Sequence, residues 1–535
     1  MNSTIGLPVA TTLVAVLGLP LLGGMGLSLW LTTFELAASL PAWRRTLATF
    51  VVHAGTWLLA FVVALVLLQR GWFAAALATT LQWVVLQSHR AKQASLKEPF
   101  LVQDFEYFID AIRHPRLYLP FFGIWLAIGA STMAVAAIVA FFHWDPWLPA
   151  TLGVTSFALT VTSLALTAVV ALAWGIHRLP DISLCPRRDV ACLGLWSTFW
   201  AYARYPATPI DTRLSPRRFS ASPGSTGSSS TRPHLVVVQG ESFFDPRRWT
   251  PGLDTPLLTQ WDALCRDAVA YGPLNVPAWG ANTIRSECAF LTGLSPTALG
   301  MHRFMPYRQL SRQNVPSLAH TLKSLGYRTV VLHPYPARFY ARHLVMPKLG
   351  FERFDDIVSF DPTRDRDGPF IGDAALATRV AELLADDDPR PLMVFIITME
   401  SHGPFHLETS SLPPAAPVTE STDPLPADVD HELSVYLRHL ANTDAMIGRL
   451  AALLGATARP GVLCAYGDHV PPLGPSYRHF GEPLGQTDYL LWSTEGSGTP
   501  SPCRPLRLDA LGEAVLDAVL STGDVSPSPP SKESP

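Results

Sequence analysis

The chain has 535 residues, of which 16% are charged and 48% are hydrophobic, and its formal net charge is −3. This length leaves room for more than one domain, and a pI near 6.6 argues against a nucleic-acid-binding surface. The mean hydropathy of +0.21 is too high for a wholly soluble enzyme. Because the apolar residues are concentrated before about Arg178, the chain divides into a membrane-like part and a globular part.

Apolar stretches near the length of about 20 residues that a membrane span needs occur five times before residue 178. They are Leu7–Leu31, Thr46–Gln69, Gly71–Ser88, Leu117–Trp144 and Trp147–His177. A cleaved signal peptide explains at most the first, but its apolar run is too long and four more stretches follow. The pattern predicts an α-helical transmembrane bundle of about five spans over residues 1–178.

The orientation of this bundle is predicted differently by two lines of reasoning. The loop Arg90–Arg116 carries five Lys or Arg residues, so the positive-inside rule makes it cytoplasmic, and with it the C-terminal domain. The loop also holds four acidic residues and is partly amphipathic, which weakens the charge count. The chemistry of the globular part favours the outer face, and we expect a multi-pass plasma (inner) membrane protein with an extracytoplasmic, periplasmic catalytic domain.

Residues 179–233 are predicted to be a juxtamembrane segment and flexible linker, because they include the Ser/Gly/Pro-rich run "RRFSASPGSTGSSSTRP". Residues 234–523 form the predicted catalytic domain, and the tail 524–535 has a disordered composition. Cys185 and Cys192 are either bridged in an oxidising compartment or free thiols.

Four short β-branched runs in the globular part read as buried strands, and three longer amphipathic runs read as helices. The strands are "HLVVV" (234–238), "RTVVL" (328–332), "LMVFIIT" (392–398) and "GVLCAY" (461–466), and the helices are 315–326, 372–385 and 431–454. This alternation predicts an α/β domain with a largely parallel sheet covered by helices on both faces.

A polar cluster follows each predicted strand, where ligands bind in such sheets. Glu241 follows the first strand, His333 the second, His402 the third, and the pair Asp468 and His469 the fourth. Carboxylates and neutral imidazoles from separate loops suit a divalent cation. Glu241, Asp468 and His469 are therefore candidate metal ligands.

Thr283 is the candidate nucleophile, because a metal-bound hydroxyl loses its proton more easily. It lies in "GANTIRSE", at the start of a predicted helix over 284–291, where the helix dipole favours negative charge. Threonine is also a common N-cap residue, so this segment alone fits an ordinary capped helix equally well.

Three motifs, "QGESF", "GANTIRSE" and "YGDHV", occur in the order and relative spacing of the lipoteichoic acid synthase and phosphoglycerol transferase family. That family belongs to the alkaline-phosphatase-like, sulfatase-fold superfamily, and its layout of spans, linker and extracytoplasmic domain is similar to this one. The resemblance implies that Glu241, Thr283, Asp468 and His469 hold one divalent metal ion, Mn²⁺ or Mg²⁺, with Zn²⁺ as the alternative. It further implies that Thr283 takes phosphoglycerol from phosphatidylglycerol as a covalent phosphothreonine.

The head-group site is also implied by resemblance. "HPYPARFYAR" resembles the family stretch in which a histidine, an aromatic residue and an arginine surround the head group, here His333, Tyr340 and Arg342. "ESHGPF" resembles the family's S-H-x-P-F loop, with His402 contacting the phosphate or donating a proton. Tyr340 stands where tryptophan is usual in the Gram-positive synthases, so the acceptor stays open among periplasmic glucan, capsule and teichoic-type polymer.

Three alternatives compete with this interpretation. A phosphoethanolamine transferase has similar architecture, but such enzymes bind zinc with additional histidines and are disulfide-rich, whereas six cysteines are scattered here. A sulfatase or phosphodiesterase is the second; a sulfatase needs a formylglycine from a C/S-x-P-x-R context, and Cys288, near Thr283, is followed by Ala-Phe-Leu. The third is a catalytically inactive envelope assembly protein.

Overall fold

The computed structural model divides into two compact units, Met1–Ala207 and Thr208–Pro535. It describes residues 13–35, 40–41, 44–105, 124–205, 208–220, 232–250, 257–408, 425–496 and 502–522. Within the predicted linker, residues 186–203 form helices of the first unit, whereas Ile210 and Phe219 are buried in the core of the second. The remaining run, 221–231, and the predicted tail lie outside the described residues.

The first unit is helical throughout its described part. Its α-helices are Leu19–Leu31, Leu47–Leu68, Gly71–Leu96, Ile124–Trp144, Leu148–Leu152, Val154–His177, Pro186–Leu193 and Leu195–Ala203, with a π-helical turn at Val14–Gly18 and 3₁₀ turns at Thr32–Phe34 and Val102–Asp104. Small residues allow close packing between them. A Cβ on Gly24 would lie 2.5 Å from the Trp57 ring, so this contact requires glycine.

Three of these helical segments are long and apolar enough to cross a membrane: Val14–Phe34, Leu47–Leu68 and Val154–His177. The predicted third stretch forms the helix Gly71–Leu96, whose last two turns are polar. The predicted fourth corresponds to Ile124–Trp144, and its first residues, 117–123, are not described. The count of five spans therefore stays a prediction.

The second unit is built on an eight-stranded sheet with the strand order β10-β2-β9-β8-β1-β7-β3-β4, and β5 pairs separately with β6. The strands are β1 (His234–Gly240), β2 (Ala270–Asn275), β3 (Arg328–Leu332), β4 (Arg353–Asp355), β5 (Arg366–Asp367), β6 (Phe370–Ile371), β7 (Leu392–Ile397), β8 (Gly461–Gly467), β9 (Thr487–Ser493) and β10 (Leu506–Arg507). The sheet is mixed. Seven strands run in one direction and β9 runs antiparallel to both of its neighbours, β8 and β2.

Helices cover both faces of this sheet, as the sequence predicts. Alternate residues of a strand point to opposite faces, so Leu235 and Val237 join one buried cluster while Val236 and Val238 join the other. The first face carries helices Thr283–Thr292, Leu318–Ser324, Arg342–Lys348 and Leu508–Thr522, and the second carries Thr259–Arg266, Asp373–Leu384, Ala427–Gly455 and Gly474–Phe480. Shorter helices lie at Arg217–Ser220, Pro296–Leu299 and Pro306–Leu310.

The four predicted strands are confirmed, and they are neighbours in the order β8-β1-β7-β3. All four run parallel, with Gly240 of β1 opposite Gly467 of β8. Because their carboxyl ends meet at one edge of the sheet, the polar residues that follow them are brought together.

Candidate active site

Glu241, Asp468 and His469 form one buried cluster at the carboxyl ends of β1 and β8. One ligand atom from each lies within 4.8 Å of the others. His469 Nε2 lies 3.5 Å from Glu241 Oε1 and 3.4 Å from Asp468 Oδ2. The three predicted metal ligands are therefore adjacent, because each directly follows the paired glycines that end the two strands.

The two oxygen atoms of the Asp468 carboxylate differ in their hydrogen bonds. Its Oδ1 atom accepts hydrogen bonds from the backbone N–H groups of Ser242 (2.9 Å) and His469 (2.8 Å). Its Oδ2 atom is buried without a hydrogen-bond partner among the described residues. An unpaired buried carboxylate oxygen is costly, and a bound cation would remove that cost.

The pKa shifts of the two carboxyl groups in this cluster also favour a bound cation. Burial, and next the charge of Asp468, raise the pKa of Glu241 to about 8. Burial also raises the pKa of Asp468. Two adjacent carboxylates that cannot both ionise easily are stabilised by a divalent cation, and two carboxylates with one imidazole fit Mn²⁺, Mg²⁺ or Zn²⁺. The residues present thus fit the predicted metal ion.

Thr283 is the first residue of the helix Thr283–Thr292, and it is partly exposed. The Thr283 side chain lowers the pKa of Asp468, which puts its hydroxyl beside the cluster. On the next turn, the Ser286 hydroxyl donates to the Asp468 backbone carbonyl at 2.7 Å. The helix that begins at Thr283 is therefore held directly against the loop that carries Asp468 and His469.

The alternative interpretation of Thr283 as an N-cap is wrong. The N-cap position is occupied by Asn282, which has a left-handed backbone conformation with φ of 70°. Gly280 before it also has positive φ (67°) and donates its backbone N–H to the Val470 carbonyl at 3.2 Å. This sharp turn moves the helix start by one residue, so the Thr283 hydroxyl is not used to cap the helix.

Arg342 lies in a second buried group together with His333. The Arg342 guanidinium pairs with Glu287 through two hydrogen bonds, Nε to Oε2 at 3.1 Å and Nη2 to Oε1. Its Nη1 atom lies 3.2 Å from His333 Nε2, and Tyr307 donates to the same Glu287 carboxylate. Burial alone would lower the pKa of Arg342, but Glu287 outweighs it and the pKa is raised.

His333 is neutral in this arrangement. Burial, and next the Arg342 charge, hold its pKa well below the ordinary value. Its Nδ1 atom lies 3.0 Å from the Ile397 carbonyl, to which an Nδ1–H donates, so Nε2 accepts from Arg342. The Tyr340 ring centroid lies 5.3 Å from Arg342 Cζ, and Tyr340 has positive φ (54°). The structure thus brings His333, Tyr340 and Arg342 together.

The sequence interpretation missed Glu287 as the partner of Arg342. Glu287 is fully buried and lies one helical turn after Thr283. A signal was available, because a carboxylate in an otherwise apolar helical run predicts a charged partner.

His402 is partly exposed and stands in the loop after β7. Its Nδ1 atom lies 2.7 Å from the Gly403 carbonyl, which fixes an Nδ1–H tautomer and leaves the Nε2 lone pair available. Burial lowers the pKa of His402, while the charge of Asp468 opposes this effect. The charge of His402 also lowers the pKa of His333. His402 therefore interacts both with Asp468 and with His333.

A second group of potential ligands, Asp367, Glu400 and His439, also lies within 4.8 Å. His439 Nδ1 is 2.8 Å from Glu400, and its Nε2 atom is 3.0 Å from Glu408. Asp367 pairs with Arg438 at 2.7 Å. Since these atoms already have protein partners, this group is an ion network and does not need a metal.

Cys503 begins the pattern Cys-Arg-Pro-Leu-Arg, which matches C-x-P-x-R, so the expectation that the chain lacks this sulfatase motif is wrong. Leu506 and Arg507 of this pattern form β10 at the sheet edge, separated from β1 by β2, β9 and β8. Four strand spacings amount to roughly 19 Å. The pattern is therefore remote from Glu241 and Asp468. Cys185 and Cys192 are both free and exposed.

A sheet covered on both faces, with acidic and histidine ligands at adjacent strand ends beside a hydroxyl at a helix start, defines the alkaline-phosphatase-like class of α/β domain. A family model described as Sulfatase matches residues 233–515, more than half of the chain. The chain belongs to the sulfatase family, as the three motifs predict.

Known relatives share the domain or the whole architecture. The chain is 34% identical over 260 residues to the capsular polysaccharide biosynthesis protein RkpI of Rhizobium meliloti (strain 1021), covering 48% of this chain and 45% of that protein. The chain spans less than half the length of the curated relatives it matches. The phosphoglycerol transferase GacH of Streptococcus pyogenes is 18% identical, with a TM-score of 0.44, 59% of this chain and 86% of that chain covered.

The integral membrane lipooligosaccharide phosphoethanolamine transferase A (EptA) of Neisseria meningitidis shares the fold over nearly the whole chain. Its TM-score is 0.53 at 15% identity, and the match covers 94% of this chain and 96% of that chain. Apolar N-terminal helices followed by an alkaline-phosphatase-like domain are thus common to both proteins.

Proposed function

We propose that this protein is a membrane-anchored phosphoglycerol transferase that moves phosphoglycerol from phosphatidylglycerol to an envelope glycan or polymer. The observation that carries the proposal is the Thr283 hydroxyl, which begins a helix beside the Glu241–Asp468–His469 cluster. A hydroxyl at that position meets both the helix dipole and the metal-site carboxylates, which suits attack on a phosphate.

Glu241, Thr283, Asp468 and His469 would hold the divalent cation. When bound, such an ion supplies Lewis acidity that lowers the pKa of the threonine hydroxyl and neutralises charge on the phosphate. The unpaired Asp468 Oδ2 atom and the raised pKa of Glu241 support this ligand set.

The proposed reaction has two steps. Thr283 Oγ bonds to the lipid phosphorus and loses its proton, while the bond from phosphorus to the diacylglycerol oxygen breaks and diacylglycerol leaves with a proton. An acceptor hydroxyl then attacks the phosphothreonine and loses its proton, while the bond from phosphorus to Thr283 Oγ breaks and Thr283 Oγ regains a proton. His402 Nε2 is the group we assign to take the acceptor's proton, because its neutral ring presents a lone pair there.

His333, Tyr340 and Arg342 form the proposed head-group site, and His402 contacts the phosphate in the second step, when it is bound to Thr283. Arg342 has five N–H donors, and those not used by Glu287 and His333 are the ones we assign to phosphate oxygens. Its bidentate pairing with Glu287 holds the guanidinium plane in place, so we assign Arg342 to orient and stabilise the transferring group. The Tyr340 ring on the guanidinium supports the same placement.

Localisation and acceptor are parts of the same proposal. A lipid donor is most easily reached by a domain tethered to the bilayer, so we propose a multi-pass plasma (inner) membrane protein with its catalytic domain, 234–523, on the periplasmic side. The description of RkpI as a capsular polysaccharide biosynthesis protein supports a glycan acceptor. Periplasmic glucan, capsule and teichoic-type polymer all fit this class.

A phosphoethanolamine transferase is the second candidate, and the full-length fold shared with EptA favours it. The two candidates differ only in the head group carried by Thr283. An inactive assembly protein would form no such adduct, whereas a phosphodiesterase acting through Thr283 would form it and transfer the group to water instead of to a glycan.

The full-length protein in detergent with Mn²⁺ should be incubated with phosphatidylglycerol and, in parallel, with phosphatidylethanolamine. We expect diacylglycerol release from phosphatidylglycerol and a glycerophosphate adduct on Thr283, measured by mass spectrometry. Thr283→Ala should reduce release about 1000-fold or more. Thr292→Ala, at the other end of the same helix, should change it by only a few-fold. A phosphoethanolamine adduct would establish the second candidate, and full release by Thr283→Ala would refute the mechanism.

A further inference from the structure

The loop that carries His402 is tied at both ends to one buried side chain. We define the His402 loop as residues 398–408, from the end of β7 to Glu408. His439, on helix Ala427–Gly455, lies 2.8 Å from Glu400 Oε1 through Nδ1 and 3.0 Å from Glu408 Oε2 through Nε2. One ring therefore bridges residues on either side of His402.

We call His439, with its bonds to Glu400 and Glu408, the clamp. Neighbouring side chains bond to the same residues. Arg438 pairs with Glu408 and also, at 2.7 Å, with Asp367. Asn442 donates to Glu400 at 2.6 Å. Both Glu400 and His439 are almost completely buried, so these bonds are shielded from water and fix the side chains strongly.

The charge state of His439 suits two acceptors. Burial favours the neutral ring, but the hydrogen bonds and charges of Glu400 and Glu408 outweigh burial and raise the pKa of His439 to about 9. A neutral imidazole has a single N–H and could donate to only one carboxylate, whereas the imidazolium donates to both. Arg438 Nη2 also lies 3.0 Å from His439 Nε2, so Glu408 faces two cationic side chains at this point. A buried charge network of this kind holds one geometry because breaking any member leaves an unpaired buried charge.

We propose that His439 is a positioning residue for His402, which fixes both ends of the His402 loop to a helix on the sheet face opposite the helix that begins at Thr283. The proposal rests on the proposed function, in which Thr283 acts in the first step and His402 in the second. His439 contacts neither donor nor acceptor. Its effect is to keep His402 Nε2 aligned with the acceptor hydroxyl in the transfer step.

The inference predicts a specific kinetic imbalance. In His439→Ala the loop loses its bridge, and a displacement of about 1 Å of a catalytic group costs about 100-fold in rate. We expect diacylglycerol release in the first turnover to change by less than about threefold, whereas transfer to a hydroxyl acceptor such as glycerol slows about 10- to 100-fold. The adduct on Thr283 should therefore accumulate, as measured by intact mass at fixed times.

Glu432→Ala provides the matched control. Glu432 lies on the same helix, is also buried, and bonds to the backbone and hydroxyl of Ser476 at 3.1 and 2.9 Å. This variant loses buried hydrogen bonds without touching the His402 loop, so we expect no adduct accumulation. Equal accumulation in both variants would show a general effect of weakening the helix and overturn the proposal.

Hydrogen exchange of the full-length protein gives a readout that needs no activity. Amides of residues 399–408 should exchange about tenfold or more faster in His439→Ala than in wild type, but not in Glu432→Ala. If wild type released no diacylglycerol while the loop still loosened in this way, the proposed function would fail and the clamp would stand. Unchanged exchange in the loop would overturn the clamp itself.

Discussion

Two clusters of carboxylate and histidine lie in the second unit, one fully buried and one in which Asp367 is partly exposed, and in each the ligand atoms lie within 4.8 Å of one another. In the Glu241–Asp468–His469 cluster, the His469 ring is 3.4 to 3.5 Å from both carboxylates and one Asp468 oxygen has no partner among the described residues. In the Asp367–Glu400–His439 cluster, the imidazole bonds to carboxylates at 2.8 and 3.0 Å.

The two clusters differ in whether their polar atoms have hydrogen-bond partners and in their net charge. The first holds two adjacent carboxylates, and burial, and next the charge of Asp468, raise the pKa of Glu241 to about 8, so this group could bind a divalent ion. The second contains Arg438 and a protonated His439 that balance its acids. Proximity of ligand atoms alone therefore does not identify a metal site, whereas unsatisfied negative charge does.

Removing one carboxylate from each cluster should produce the largest contrast. Asp468→Asn should weaken Mn²⁺ binding at least about 100-fold, because a direct ligand is worth more than the 10- to 100-fold of an outer partner. Asp367→Asn should leave both affinity and a stoichiometry of one ion per chain unchanged. Titration calorimetry on the full-length protein in detergent measures both. Loss of binding in Asp367→Asn alone would reverse the assignment of the two clusters.

Glu287→Gln tests whether the buried Arg342–Glu287 ion pair contributes to activity. The substitution leaves Arg342 charged and buried, so we expect the free energy of unfolding to fall by about 3–5 kcal/mol. Donor turnover at permissive temperature should fall about tenfold or more, since the guanidinium plane is no longer fixed. Chemical unfolding and diacylglycerol release measure the two effects. As a control, Glu382→Gln, which breaks the Arg379–Glu382 pair near the surface, should do little, and comparable losses in both variants would contradict the assignment.

The smallest effect concerns pH and the second cluster. The pKa of His439 is about 9 in the folded protein and about 6.5 unfolded, so the folded state holds the proton more tightly. This stabilisation, about 3 kcal/mol, is complete below pH 6.5, declines from pH 6.5 to 9, and is absent above pH 9. Asp373, whose pKa is raised by burial and next by Glu400, acts in the same direction.

Unfolding curves between pH 6 and 9.5 should therefore fall less steeply with pH in His439→Gln than in wild type. The charged groups that face His439 are Glu400, Glu408 and Arg438. Parallel curves for the two proteins would show that His439 does not hold its proton in the folded state.

Much of the fold and part of the site follow from local sequence pattern. The four strands β1, β3, β7 and β8 are continuous β-branched runs, typical of strands buried on both faces. β2 ("AYGPLN") and β9 were not predicted: β2 contains Gly and Pro, and β9 runs against its neighbours. The left-handed backbone conformation of Asn282 was not predicted either. It lies in a turn that contacts Val470 through the Gly280 N–H, and this contact forms only in the folded chain.

Local pattern is enough to locate the residues that could take part in the chemistry. Glu241, Asp468 and His469 follow recognisable strands closely, His402 lies in the loop after another, and Thr283 begins a recognisable helix; a parallel sheet gathers such positions at one edge. Which charges are paired depends on the folded arrangement of the chain. Arg342 pairs with Glu287 across 55 residues and His439 with Glu400 across 39, and no local pattern encodes pairs so distant. The physical reason is that burial sets the cost of each unpaired charge, and burial exists only once the chain has folded.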